Sequence, residues 1–359
     1  MLNSRQTFTT DTLQWAQRLG VSEQAVALYQ DAEVIDLHND SFLWQRLLNY
    51  RLEHWHEPWV GYAPLGRQVD LPRAHAAAMS GIVFDIPTNP FIPKSRKYAA
   101  LRKHIARMLS TFKQADHSGT PIQHVVSYAD YVQARRNGKM AAWISIQGGQ
   151  AIDNNLYDLQ RIPEVHRITL LHFTRSRIGV SNFDRWRQPQ GLTAFGQQFV
   201  QAMAEQRILI DLSHISPAGF WDAIASLPEG APPVVTHTGV KGVCDIWRNI
   251  DDAQIRAVAE RGGTIGVIFE RNFIGRHRSQ KQMRHIVDHM AHIIELGGED
   301  AVSLGSDYDG MITLPFDFTD IRWQPVLVDE MLLRGWSETR IRKILGLNFL
   351  RVIREVRPV

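Results

Sequence analysis

The 359-residue chain has a single cysteine, Cys244. That excludes an internal disulfide framework and any cysteine-based zinc site within one chain. A lone free cysteine reads as a small buried hydrophobe. Long apolar runs are also missing: no stretch approaches the roughly 20 residues needed to span a bilayer. The segment Met1–Gly20 is polar and carries no apolar core of a secretory signal. A cytoplasmic location without a membrane partner is therefore expected. Charge of one sign is scarce as well. The 40 Lys+Arg against 37 Asp+Glu leave a net +3, with the basic residues scattered along the chain, so nucleic acid is not an expected partner. Two catalytic signatures are absent: the Gly-x-Ser-x-Gly elbow of serine hydrolases and a Gly-rich phosphate loop ending in Lys-Ser or Lys-Thr.

What remains is the composition of a soluble globular protein, 44% hydrophobic and 21% charged. Eight short apolar, β-branched runs stand out: Val34–Leu37, Ile82–Ile86, Ala142–Ile146, Ile168–Leu171, Ile208–Leu212, Val234–Thr236, Thr264–Phe269 and Ala301–Leu304. Most are too short for helices and too apolar for exposed edges, so they read as buried parallel strands. Helical patterns occupy most of the gaps, as in Tyr98–Lys113, Phe195–Gln206, Pro217–Ala225, Asp252–Arg261 and Lys281–Leu296. Strand–helix alternation points to an α/β fold with crossover helices, and eight units fit a closed (β/α)₈ TIM barrel. A doubly wound open sheet is the alternative. One barrel domain over 1–359 is expected, with 1–32 an N-terminal helical segment and 336–359 a C-terminal helix. In the latter, Ser337 begins a cap lacking its usual Glu, because Arg340 stands three residues on. Ile341, Ile344, Leu345, Phe349 and Val352 share one face, expected to close the outer layer of the barrel.

The residues after the strands carry chemistry. The first run ends in His38-Asn39-Asp40, the third in Gln147-Gly148-Gly149 and the fourth in His172; His214, His237 and Asp307 follow the fifth, sixth and eighth. In a barrel these positions share the C-terminal rim, where catalytic residues of this fold sit. Imidazoles and carboxylates converging on one rim have the composition of a metal site. A single histidine at a strand end is more often structural; several on one rim have no structural reason to coincide. In His38-Asn39-Asp40 the outer side chains share a face of an extended chain, so one segment can offer two ligands.

These residues resemble the membrane (renal) dipeptidase family of zinc metallopeptidases, within the amidohydrolase superfamily. The matching text includes Val34-Ile35-Asp36-Leu37-His38-Asn39-Asp40, Gln68-Val69-Asp70-Leu71-Pro72-Arg73, Asp211-Leu212-Ser213-His214, Gly305-Ser306-Asp307-Tyr308-Asp309-Gly310 and Ile344-Leu345-Gly346-Leu347-Asn348-Phe349. Order and spacing hold from about residue 30 to the C-terminus. The resemblance implies a two-zinc site, with His38 and Asp40 on one ion and His214 and His237 on the other. It also implies that His172 polarises the scissile carbonyl or stabilises the tetrahedral oxyanion, that Asp307 is the acid/base group and that Arg248 grips the substrate carboxylate. A homodimer and a dipeptide or other small-molecule substrate are implied in the same way.

The family places a metal-bridging glutamate where this chain has Gln147. An amide is neutral and offers one good ligand oxygen. Two divalent ions close together repel strongly, and an anionic bridge offsets part of that repulsion. Gln147 is therefore expected to prevent a fully occupied two-zinc centre and to favour one ion held by His38, Asp40, a distal histidine and Asp307. Glu270-Arg271-Asn272 departs from the family in a region that shapes its substrate pocket. Three functions remain open: a dipeptidase-like hydrolase of small peptides or N-acyl amino acids, a non-hydrolytic binding module, and a mononuclear deaminase or isomerase. Lys94, Arg96, Lys97, Arg175, Arg177, Arg271, Arg276, Arg278 and Lys281 lie in rim loops and suggest a mouth favouring anionic substrates.

Overall fold

The computed structural model describes residues 10–56, 67–184 and 190–359. Its strands are β1 (Ile35–Asn39), β2 (Gly81–Pro87), β3 (Ile122–His124), β4 (Met140–Gln147), β5 (Val165–Thr169), β6 (Leu209–Asp211), β7 (Val234–Thr238), β8 (Thr264–Val267) and β9 (Val302–Leu304). All pair in parallel in the order β2-β1-β9-β8-β7-β6-β5-β4-β3, and a further β2–β4 pairing closes eight of them into a barrel. That closure decides against the open sheet. Each expected run falls on a barrel strand, with ends displaced by up to three residues. The additional β3 pairs with Met140–Ala142 at the start of β4, before β5 joins at Ile144. Its three residues carry no apolar run, so periodicity does not reveal it.

Helices cover the outside, including Lys94–His117, Ala194–Glu205, Pro217–Ser226, Asp252–Glu260 and Arg284–Gly297. The N-terminal segment is two helices, Thr12–Leu19 and Glu23–Asp31, and residues 1–9 of that expectation lie outside the described residues. The break falls where Gly20 takes a left-handed φ of 69° and Ser22 caps the second helix through Ala25 N–H. Among the described residues no helix is long and apolar enough to cross a membrane.

The C-terminal segment lies only in part where expected. Its cap forms without the Glu, because Ser337 Oγ accepts from Arg340 N–H at 3.2 Å. A π-turn at Lys343–Leu347 then joins Glu338–Arg342 to Asn348–Val356. Phe349, Leu350, Val352 and Ile353 form one apolar cluster with Ile35, Leu37, Val83, Trp143, Leu209 and Val234. Several of these strand residues lie at or near strand starts, so Asn348–Val356 plugs the floor of the barrel, while Ile341, Ile344 and Leu345 pack in the larger cluster that joins the barrel to its outer helices, as expected. Gly346 makes this approach possible, since a Cβ there would lie 2.2 Å from the Glu33 carbonyl oxygen.

Floor and rim are coupled through strand irregularities. Ile35 and Leu37 face the barrel floor, yet His38 also turns into the barrel, because the β1–β2 register shifts between Asp36 and Asn39. A similar shift between Val235 and Thr238 re-aims His237 in β7. Irregularities of this kind commonly redirect a side chain beside an active site.

Candidate metal centre

His38, Gln147, His172, His214, His237, Arg248, Asp307 and Asp40 are all buried at the C-terminal rim. The structure brings the histidines together: ring centroids lie 3.7 Å apart for His38 and His237, 4.8 Å for His214 and His237, and 4.8 Å for His172 and His214. Ligand atoms of His38, His237 and Asp307 all lie within 4.8 Å of one another. Asp40 joins them less closely, with Oδ1 3.8 Å from His38 Nε2, against 3.5 Å for Asp307 Oδ1.

Backbone conformation helps to set this geometry. His214 and Asp307 adopt left-handed φ values of 63° and 62°, uncommon for residues with a side chain and frequent at functional sites. Gly310 gives Asp307 room: a Cβ there would fall 2.2 Å from its Oδ1. Asp309 ties the same turn to its surroundings, accepting from Ser41 Oγ at 2.5 Å and from Gln68 N–H at 2.8 Å. The segment Gln68–Arg73 therefore braces the rim from behind. Arg73 Nε donates to Asp70 at 2.7 Å, and Nη1 reaches Asp320 at 3.3 Å.

Behind the ligand candidates stands a set of buried groups that sequence reading passed over. His38 Nδ1 lies 3.0 Å from Asp85 Oδ2. Asp85 is bound in turn by Arg167 Nη2 at 2.6 Å and by Ser145 Oγ, and Arg167 Nη1 donates to Leu37 O at 2.7 Å. On the other side Asp211 accepts from Thr169 Oγ1 at 2.6 Å and from Thr236 Oγ1 at 2.7 Å. Having given its proton to Asp211, Thr236 Oγ1 can only accept from His237 Nδ1, 2.9 Å away. This leaves Nε2 of His237 with its lone pair toward the site.

Electrostatics favour a cation there. Burial opposes charge on His38, but Asp85 and Asp40 outweigh it and hold its pKa well above the usual histidine value. With Nδ1–H committed to Asp85, Nε2 is the atom that takes up positive charge, from a proton or a metal. Burial pushes the Asp307 carboxyl well up and raises Asp40. It also drives His214 and His237 well below the ordinary value, and His172 to about 3, so these imidazoles are neutral. Nε2 of His214 and Nε2 of His237 lie 2.7 Å apart. Asp40 Oδ1, Gln147 Oε1 and His214 Nδ1 are buried without hydrogen-bond partners. Clustered lone pairs and partnerless oxygens of this kind suit a divalent ion.

Gln147 Nε2 lies 3.0 Å from His38 Nε2. The amide donor thus abuts the atom expected to meet a metal, and turning the amide over would present Oε1 instead. Arg248 Nη2 donates to His237 O at 2.8 Å and lies 3.3 Å from His214 Nε2. Burial lowers its pKa to about 10, which leaves it a cation at neutral pH. Cys244 is buried, and burial raises its thiol pKa, in keeping with a structural residue.

A cavity of about 330 Å³ opens on the site, lined by Asp40, Gln147, His172, His214 and Asp307 together with mostly apolar residues. None of the nine basic rim-loop residues lines it. Lys94 lies 3.8 Å from Asp153, Arg177 stacks on Phe195 at 3.9 Å, and Arg271 and Arg278 stack on Phe316 at 4.4 and 4.3 Å. Glu270 is occupied structurally, accepting from Asn272 N–H at 2.8 Å and from Thr313 Oγ1 at 3.0 Å.

A parallel eight-stranded barrel closed in this way, with a cluster of metal-ligating side chains at its C-terminal rim, has the fold of the metal-dependent amidohydrolase type. Residues 22–359 match the model of the membrane dipeptidase family, peptidase family M19, and the chain belongs to that family. It is 28% identical over 347 residues to Dipeptidase 3 of Rattus norvegicus, covering 94% of this chain and 68% of that one. It is 32% identical over 249 residues to an uncharacterized protein in the pqqA 5' region of Klebsiella pneumoniae, covering 67% and 91%. Its fold is similar to that of a metallopeptidase from Rhodobacter sphaeroides liganded with a phosphinate mimic of the dipeptide L-Ala-D-Ala. There the TM-score is 0.77 at 22% identity, covering 90% of this chain and 99% of that one.

Proposed function

We propose that the protein is a zinc-dependent hydrolase of dipeptides or N-acyl amino acids that holds one ion between His38, His237 and Asp307, with Asp40 and His214 beside them. The observation that carries this reading is the convergence of those three ligand atoms within 4.8 Å, which joins the two halves of the expected dinuclear site. A bound divalent ion supplies Lewis acidity and lowers the pKa of water. The side chains do the rest. Arg248 takes the substrate carboxylate by charge-assisted hydrogen bonds. His172, neutral and buried, donates to the carbonyl oxygen as charge develops there. Asp307 takes the proton of the attacking water and returns it to the departing amine. Asp85 and Thr236 fix the ring orientations of His38 and His237.

A homodimer completes the proposal, on the family resemblance. The test is elemental analysis of protein purified without chelator, paired with a screen of dipeptides and N-acyl amino acids. Bound zinc with hydrolysis of either class supports the reading. Protein that takes up no metal even when zinc is supplied, and cleaves nothing, overturns it in favour of a binding module.

A further inference from the structure

The wall of the cavity differs in character from its base. Away from the candidate ligands it is formed by Leu43, Leu47, Pro90, Phe91, Phe173 and Met311. Several of these face solvent: relative exposure is 92% for Phe91, 62% for Met311 and 61% for Leu47. Phe173 extends the apolar surface through Phe183, 4.8 Å away between ring centroids, and Phe183 through Trp247, 4.9 Å away. Scattered exposed hydrophobics need no explanation, but a contiguous set around a catalytic mouth marks a ligand surface.

Sidedness follows from Arg248. It does not line this cavity; it lines a smaller pocket beside it with Trp247 and Asn182, and His214 is common to both. A substrate whose carboxylate is on Arg248 and whose scissile carbonyl is over the histidines therefore places its acyl side in the apolar cavity. Charge narrows the choice further. Among the described residues of the lining, and outside Asp40 and Asp307, both assigned to the centre, Arg46 is the one that carries charge. A free α-ammonium would meet that cation and find no spare carboxylate among the described lining residues, since Gln147 is neutral where the resemblance places an anion.

Resting on the hydrolase reading above, we propose that this apolar mouth binds a large, uncharged acyl group, so that the preferred substrates are N-acyl amino acids with long acyl chains rather than free dipeptides. The test is kcat/KM on the zinc-supplemented protein for one amino acid carrying acetyl, butanoyl, hexanoyl and octanoyl groups, against dipeptides with a free N-terminus and an apolar first residue. Values should climb about two- to fourfold per methylene while the chain stays on the wall. The double variant Leu47→Ser/Phe91→Ser should flatten that dependence, a ratio read within one protein; both side chains are exposed, so folding is not at stake. A flat series in the unmodified protein, an equally steep one in the variant, or dipeptides outpacing the N-acyl series each overturn the proposal. If nothing is hydrolysed the hydrolase reading fails separately, and calorimetric binding still decides this one. Octanoyl binding at least tenfold tighter than acetyl, lost in the double variant, supports it; equal affinity overturns it.

Discussion

Asp85 Oδ2 lies 3.0 Å from Nδ1 of His38, and both side chains are fully shielded from solvent. The carboxylate thereby selects which imidazole nitrogen faces the site. It also serves Arg167, whose buried guanidinium lies 2.6 Å away, and these cations hold its pKa well below the usual range despite burial.

Asp85→Asn should therefore act twice. Weaker anchoring of His38 should reduce metal affinity about 10- to 100-fold. Loss of the nearer carboxylate of Arg167, with Asp211 remaining 3.8 Å away, should destabilise the fold by up to about 3–5 kcal/mol. Metal titration and urea unfolding read the two effects separately. Unchanged metal affinity in a folded variant would contradict the role given to Asp85.

Arg248→Gln should lower kcat/KM by roughly 10- to 100-fold on substrates with a free carboxylate, the scale of a hydrogen bond to a charged group. Much of the loss should fall on KM. Amidated substrates, already poor, should lose far less. An equal loss on both kinds of substrate would show that Arg248 supports structure rather than gripping the carboxylate.

Stability should depend on pH through His289, far in sequence from the candidate ligands. Its Nδ1 accepts from Val240 N–H at 2.9 Å, and its Nε2 lies 3.2 Å from Ile274 O, tying down the loop that leads to Arg248. Burial pushes its pKa down to about 4. Between that value and the unfolded value of about 6.5, the unfolded chain binds the extra proton. This group's contribution is therefore complete above the unfolded value and declines as pH falls, by up to about 1.4 kcal/mol per pH unit. Unfolding free energies from pH 4 to 7 should show a steeper slope in the unmodified protein than in His289→Asn. Parallel curves would contradict this.

The candidate ligands were legible in the sequence because each stands where an apolar run stops. A histidine or aspartate after a buried strand announces itself, and eight such runs define one rim. The supporting groups were harder to see. Asp85 sits inside a run read as simply apolar, and Arg167 directly before the expected start of another. A signal was available: a charge within a strand buried on both faces must have a partner. Which partner is a matter of barrel closure, and Asp85 and Arg167 are 82 residues apart. The floor-plugging end of the C-terminal segment was missed for a related reason. Ile341, Ile344, Leu345, Phe349 and Val352 are all buried, but the π-turn divides them between two surfaces, which periodicity does not show. The engagement of several basic rim-loop residues by rings, carbonyls or carboxylates was not legible either, because it depends on which loops meet.

The central claim concerns Gln147, and metal content before and after Gln147→Glu tests it most directly. The amide supplies no charge between two cations, so the unmodified protein should bind fewer than two zinc ions tightly, close to one per chain. The glutamate should raise the stoichiometry toward two and make dipeptide hydrolysis appear or increase. If the unmodified protein already binds two zinc ions tightly and cleaves dipeptides as fast as the variant, the reading of Gln147 is wrong.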